Sequence, residues 1–528
     1  MSEPLTLATD VLVIGGGLAG AWAAVAAARA GADVVLVDKG HCGTSGVTAT
    51  AGPGHWWVPP ERREAAVADR LQRSLGLGDP NWMGRILDLT WTSLPGLRDH
   101  YAFSTDDRGE VQHRALRGPE YMRAMRAYAV ATGARILDHH PALQLLRHGD
   151  GSIAGASGLA LRGERPWTIR AGAVVLATGG TAFASRLLGS ATNTGDGLLM
   201  GVEAGADLSG MEFTNYYTPS LAGTNMARSM AYSFARWFDA DDRELDIPNG
   251  PDVTPHLARA LLNGPLFCRL DRVPADIQAV MPEVQPNFVL PFQRLGIETY
   301  GERFEVTLHA EGAIRGIGGL RVDDEDCQTV VPGLYVAGDA GSRELVTGAI
   351  SGGGAVNSSW ALSSGQWAGA AAARRARSTG ARETDLAVAT GQAGLKPRRE
   401  ARTFDAAGAV QAVREELNAY DKNIFRRGDV LAASLERLDR IWRELADHGR
   451  AEGRAGLRLR EAAALVAAGR WSKAAALARR ESRGMHRRED APNLDPRLAS
   501  RQRAQGLDRI FTRFEPALAP KAWRAEVA

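Results

Sequence analysis

The chain has 528 residues, 45% of them hydrophobic, and 63 basic against 61 acidic residues give a formal net charge of +2. That length predicts two to four domains, each able to bury its own core, and the near-neutral balance argues against nucleic acid or a strongly anionic surface as partner. Cys42, Cys268 and Cys327 stand singly, without the paired spacings of a zinc site, an iron–sulfur cluster or a disulfide framework, so no metal centre is expected.

The first residues lack a basic region followed by an apolar core, and no apolar run reaches the roughly 18 residues of a membrane span. A soluble, cytoplasmic protein without an integral membrane segment is expected. Asp10-Val-Leu-Val-Ile14 then reads as a buried strand, followed by a glycine turn and an alanine-rich helix that stops at Gly31. Gly15, Gly17 and Gly20 have the G-x-G-x-x-G spacing. The first allows a tight turn, the second a close approach of pyrophosphate, the third close packing of helix on strand. The helix start, Leu18 and Ala19, turns free N–H groups toward the phosphates.

A second apolar run, Val34–Val37, ends in Asp38, 18 residues after Gly20, where a carboxylate accepts hydrogen bonds from an unphosphorylated ribose, as in FAD or NAD. With 60 glycines the spacing alone would arise about once by chance. The flanking strand, helix and acidic residue carry the reading. Lys39, Thr44, Ser45 and Gly46 follow in the adjoining loop and are assigned to the same site.

Alternating strand-like and helix-like segments run on to about Gly210 and predict a doubly wound sheet. Within them a buried strand, Ala173–Leu176, enters a turn at Thr178 and Gly179, and Asp196 sits in a glycine turn before a helix. From 213 to 314 proline and aromatic residues become frequent, which reads as an inserted domain. Gly338 and Asp339 then end a strand, and Gly354, Ala355 and Val356 open a helix whose positive end suits charge on a reduced flavin ring. Asp196 and Asp339 favour a cofactor longer than NAD requires. Residues 378–403 read as a linker, and 404–528 as a helical domain, from Leu431, Leu435, Leu438, Ile441, Trp442 and Leu445 at three- and four-residue spacing. The expected architecture is α/β: a Rossmann-like, doubly wound nucleotide-binding domain, the inserted domain, and a C-terminal helical bundle.

The Gly15–Gly20 turn with Asp38, Ala177-Thr-Gly-Gly180, Asn193-Thr-Gly-Asp-Gly197, Met211-Glu-Phe213, Pro332-Gly-Leu-Tyr-Val-Ala-Gly-Asp339 and Glu481-Ser-Arg-Gly-Met-His486 occur in one order. That order resembles the FAD-binding subunits of succinate dehydrogenase and fumarate reductase, L-aspartate oxidase and the alpha subunit of adenylylsulfate reductase, over nearly the whole chain. The resemblance implies an FAD-binding domain formed by 1–212 and 315–377, an inserted α+β capping domain over 213–314, and a substrate between cap and flavin. It implies noncovalent FAD, because covalently flavinylated members carry Ser-His-Thr where this chain reads Thr44-Ser-Gly-Val-Thr48.

The departures concern the substrate. Tyr217 stands where the family has the histidine of Gln-Phe-His-Pro-Thr; Thr347 and Ser351 replace the histidine and arginine of His-Gly-Ala-Asn-Arg; and Ile314-Arg-Gly-Ile-Gly-Gly319 replaces His-Tyr-x-Met-Gly-Gly. No arginine–carboxylate proton shuttle is readable between 260 and 300. Succinate, fumarate and aspartate are therefore not the expected substrates.

His309, Glu311 and Arg315, re-entering the FAD domain, are the candidate reactive groups: His309 as general base and Arg315 as anchor for an anionic substrate. Tyr217 joins them as a catalytic candidate, and Tyr216, Tyr217, Trp56 and Trp57 are expected to line the substrate cavity. The expected function is an FAD-dependent dehydrogenase or reductase of a small molecule that passes electrons to a separate iron–sulfur or other electron-transfer subunit. The alternatives are an oxygen-using oxidase and a noncatalytic FAD-binding electron-carrier or structural subunit.

Overall fold

Val11–Ile14 is apolar throughout, as a strand buried on both faces requires, and in the computed structural model it lies at the centre of an eight-stranded sheet. The structure describes residues 3–106, 108–226, 229–250, 253–379 and 387–517. The strand Leu5–Ile14 runs parallel to Val34–Val37 on one side and to Arg165–Leu176 on the other, with Val11 opposite both Val34 and Ala173. Arg135–Leu137 extends the parallel set at one edge, and Leu334–Val336 pairs in parallel with the last turn-proximal residues of Arg165–Leu176. Ile153–Ala160 pairs antiparallel with the first half of that long strand and Ala142–Arg147 continues beyond it.

Two helices, Leu18–Arg29 and Gly353–Thr379, cover the sheet and cross closely. Their contact depends on missing side chains: a Cβ on Gly365 would fall 2.4 Å from the Ala19 carbonyl oxygen, and one on Gly369 2.2 Å from that of Ala23.

The cap is a five-stranded antiparallel sheet in the order Glu244–Leu245, Arg236–Phe238, Leu266–Arg269, Phe304–Ala310, Tyr217–Leu221. It has its own core, including Trp237, Phe292 and Phe304. Its helices Ala275–Val284 and Pro286–Leu295 meet at Gln285, and Pro286 starts the second helix.

Among the described residues, three long helices, Ala406–Leu417, Gly428–His448 and Gly453–Ala478, and a single turn, Tyr420–Asn423, form the α-helical part of the C-terminal region. The expectation of helices alone misses a hairpin, Gln502–Gln505 with Phe511–Phe514, which joins Leu208–Ser209 of the FAD-binding part in a four-stranded sheet. The segment assigned as a linker is also more than a connection. Residues 380–386 lie outside the described residues, but Val388–Ala389 pairs with Ala142–Arg147, Ala393 is buried, and Glu203 accepts hydrogen bonds from the Gln392 and Ala393 N–H groups. Among the described residues no helix is long and apolar enough to cross a membrane.

Candidate active site

Gly15 has φ +106°, a conformation glycine adopts without strain, and a Cβ there would fall 2.4 Å from the Ala177 carbonyl oxygen. The turn it permits brings the helix Leu18–Arg29 to the ends of the parallel strands. No side chain caps that helix, so its first N–H groups are left for a ligand. They face a cavity of about 500 Å³ that runs from the strand ends to the underside of the cap.

Of the residues assigned from sequence, Gly15, Gly17, Leu18, Ala19, Asp38, Lys39, Ser45, Gly46, Thr178, Gly179, Asp196, Gly338, Asp339 and Gly354 line this cavity. Four do not. Gly20 is buried behind the turn, where a Cβ would come within 1.7 Å of the Gly15 carbonyl oxygen, so it serves helix–strand packing. Thr44 is exposed and its hydroxyl donates to the His41 carbonyl. Val356 packs into the main core and Ala355 sits against Gly54. On the Gly353–Thr379 helix, Gly353, Asn357, Ser358 and Ala361 line the cavity instead.

Asp38 is buried and already engaged. Its Oδ2 accepts from the Gly16 N–H at 2.6 Å, and Oδ1 from the Gly40 N–H and the Ser45 hydroxyl, both at 2.7 Å. A carboxylate offers about four lone-pair sites, so this set orients it and leaves room for a ribose hydroxyl. Asp38→Ala is expected to weaken FAD by about 1.5–3 kcal/mol, more than Asp38→Glu, which keeps an acceptor. Equal FAD affinity in Asp38→Ala and wild type, measured by titrating the apoprotein, would remove Asp38 from the site.

Lys39 Nζ donates to Asp196 Oδ2 and Glu461 Oε1, each at 2.7 Å, and to the Thr194 hydroxyl at 2.8 Å. Burial disfavours the ammonium, but the two carboxylates more than offset this and hold its pKa above the usual lysine value. The lysine thus fixes Asp196 in the cavity wall and ties it to the helix Gly453–Ala478. A second buried pair, Arg460 with Glu203, fastens the same helix to the floor below, with Nη1 to Oε1 at 2.9 Å.

The cap side departs from the sequence expectations. Tyr217 is 2% exposed, does not line the cavity, and donates its hydroxyl to the Leu417 carbonyl at 3.3 Å. Burial raises its pKa well above the usual tyrosine value. His309 Nε2 donates to the Thr224 carbonyl at 2.7 Å, and its ring also lies outside the cavity. Both are held by hydrogen bonds to backbone carbonyls, and neither lines the cavity. Trp56, Trp57 and Tyr216 likewise lie outside the lining; Trp57 stacks on Trp91 with ring centroids 4.2 Å apart. The apolar wall is built instead from Leu187, Leu188, Met226, Val284, Pro286 and Phe288.

Arg315 does line the cavity. Its guanidinium lies over the Tyr216 ring, 5.8 Å from the centroid, and Nε is 3.6 Å from Oε2 of Glu311, which is fully buried. Glu311 Oε1 accepts from the Thr218 hydroxyl at 2.7 Å. Desolvation opposes the charge on Arg315, yet Glu311 and Tyr216 outweigh it and raise its pKa, so it is a permanent cation. Thr347 is fully buried with its hydroxyl donated to the Arg343 carbonyl, and Ser351 accepts from the Gly353 N–H; neither lines the cavity. The residues at the positions of the resembled family's histidines and arginine thus present no ionic group here.

Family comparisons now bear on this geometry. A model described as FAD dependent oxidoreductase matches residues 10–77, one described as FAD binding domain matches 79–236, and one described as Fumarate reductase flavoprotein C-term matches 415–508. This chain is an FAD-dependent oxidoreductase, similar along nearly its whole length to flavoproteins of the succinate dehydrogenase/fumarate reductase kind. Among its relatives, a fumarate reductase (CoM/CoB) chain of Methanothermobacter marburgensis is 25% identical across 92% of this chain and 95% of its own. L-aspartate oxidase of Mycobacterium leprae is 29% identical across 93% and 94%. In fold, this flavoprotein matches E. coli quinol fumarate reductase FrdA with a TM-score of 0.80 at 19% identity, over 98% of this chain and 99% of that one. Adenylylsulfate reductase from Archaeoglobus fulgidus gives 0.77 at 17% identity, over 99% and 98%.

FAD fits the cavity: the uncapped helix meets it near the Gly15 turn, Gly17 has open space where a Cβ would project, and Asp38, Asp196 and Asp339 lie along its length. No histidine occupies the 44–48 stretch. Acid precipitation is therefore expected to release the yellow colour into the supernatant; colour that stays with the pellet would mean a covalent link.

Proposed function

We propose that this flavoprotein oxidises or reduces a largely apolar small molecule bearing a single carbonyl or carboxylate, and not succinate, fumarate or L-aspartate. The observation that carries this is the charge of the cap-side wall. Among the described residues there, Arg315 is the ionised cation that lines the cavity, and fully buried Glu311 already balances it. A dicarboxylate would desolvate two charges against one compensated cation, and a buried carboxylate without its charged partner costs several kcal/mol. Arg117, also on the lining, is more than half exposed at the mouth, where water screens it.

Bound FAD supplies the two-electron chemistry at its ring. The chain's own contribution is placement. Arg315 holds the one acceptor group of the substrate; Glu311, oriented by Thr218, fixes the guanidinium; and Leu188, Met226, Val284 and Phe288 exclude water from the apolar body. The positive end of the Gly353–Thr379 helix favours electron-rich groups on the same side. Reoxidation falls to a separate redox partner, because Cys42, Cys268 and Cys327 are each buried, free and far apart in sequence, and offer no route through an intrachain disulfide.

Small enones and monocarboxylates screened for anaerobic bleaching of the flavin band supply the substrate. With it, Arg315→Lys is expected to keep FAD bound and to slow flavin reduction about 10–100-fold, the loss of a charge-assisted planar hydrogen bond. An unchanged rate reduces Arg315 to a strut. Fast stoichiometric peroxide formation in air would replace the redox partner with dioxygen.

A further inference from the structure

Arg343 is 1% exposed, yet nothing in the chemistry above uses it. Its guanidinium collects the backbone of the cavity turn that carries Arg315. Nη2 donates to the carbonyls of Ala313 (2.6 Å), Ile314 (3.3 Å) and Gly316, while Nη1 donates to the Asp339 carboxylate. Its own N–H donates to the Ile317 carbonyl at 3.1 Å. The carbonyls on both sides of Arg315 are thus held by one residue, and Arg315, with Ile314 before it, lines the cavity. Gly316 N–H donates to the Gly312 carbonyl, so 312–316 is a single helical turn, whose last carbonyls need partners that a planar fork of donors supplies. Asp339, the counter-ion, lies on the cofactor side of the same cavity.

We infer that Arg343 is a positioning residue that couples the cofactor wall, through Asp339, to the orientation of Arg315 on the substrate side. The inference rests on the reading of Arg315 given above. A lysine in its place keeps the charge but is a point donor on a flexible stem. It cannot serve Asp339 and three carbonyls at once, so the turn loosens and Arg315 leaves its place beside the cofactor.

The test is the midpoint potential of bound FAD in the holoprotein, for Arg343→Lys, Arg315→Met and the double variant. A fixed cation near the ring favours the electron-rich reduced form, so Arg315→Met is expected to shift the potential to more negative values. Arg343→Lys, although charge-conserving, is expected to shift it in the same direction, and the double variant to match Arg315→Met alone. No shift in Arg343→Lys, or a shift that adds in full to that of Arg315→Met, overturns the coupling. A potential unchanged in Arg315→Met instead overturns the reading of Arg315 itself, leaving Arg343 nothing to act through. Should Arg343→Lys not fold, Asp339→Asn leaves Arg343 in place without its counter-ion. Part of its shift is then expected to vanish in the Arg315→Met background, and an identical shift in both backgrounds overturns the coupling.

Discussion

Arg479→Met is expected to cost about 3–5 kcal/mol of stability, because it removes one member of a fully buried ionic cluster and leaves buried Glu212 without its cation. Arg479 is fully buried; Nε donates to Glu212 Oε1 and Nη1 to Glu481 Oε1, both at 2.8 Å, and the remaining donors meet the Leu498 and Ser500 carbonyls. Its plane lies over Phe213 and Phe514. Glu212 and Phe213 belong to the segment that leads into the cap, and the others to the C-terminal region, so this one side chain joins two of the three parts of the fold. Urea denaturation of the holoprotein, followed by flavin fluorescence, reads the loss; a midpoint within about 1 kcal/mol of wild type would mean that the cluster relaxes to water when broken.

Acid is expected to destabilise the fold through His55. Its ring is fully buried, edge-on to Tyr121 and beside the Arg114 backbone. Burial lowers its pKa to about 3, against about 6.5 in an unfolded chain. Above pH 6.5 the ring is neutral in both states and the fold suffers no penalty. Between about 6.5 and 3 the unfolded chain binds a proton that the fold excludes, so stability falls as pH falls, by about 2 kcal/mol at pH 5. His486, fully buried beside Arg426, is also held well below the usual histidine pKa and adds to the trend. His55→Phe keeps the volume and removes the proton site. The difference in unfolding free energy between pH 7.5 and pH 5 should shrink by that amount; the same difference in wild type and variant would clear His55.

The cofactor end was legible because its determinants are local. The Gly15 turn, Asp38 and the helix start lie within about 25 consecutive residues, and their spacing follows from backbone geometry alone. The cap end was not, because it depends on which face of a strand meets the cavity. Side chains alternate along a strand. Tyr216 and Thr218 meet Arg315 and Glu311, while Tyr217 between them points to Leu417. Aligning Tyr217 with the family's histidine therefore selected the wrong parity. The wall from Pro282 to Phe288 had no signal beyond two prolines, since it meets the cavity only through the packing of the cap on the FAD-binding part. Arg343 and Glu461 were equally silent, because their partners, such as Ala313 and Lys39, are brought to them by the tertiary fold.

The most direct test of this reading is anaerobic mixing of the FAD-loaded protein with succinate or L-aspartate, and of its reduced form with fumarate, beside small enones and monocarboxylates. Flavin absorbance is followed in each case. The predicted result is no useful bleaching or reoxidation by the three dicarboxylates, with turnover confined to singly charged or neutral apolar compounds and slowed in Arg315→Lys. Rapid bleaching by succinate or aspartate, or rapid reoxidation by fumarate, would contradict it and restore the dicarboxylate chemistry of the family.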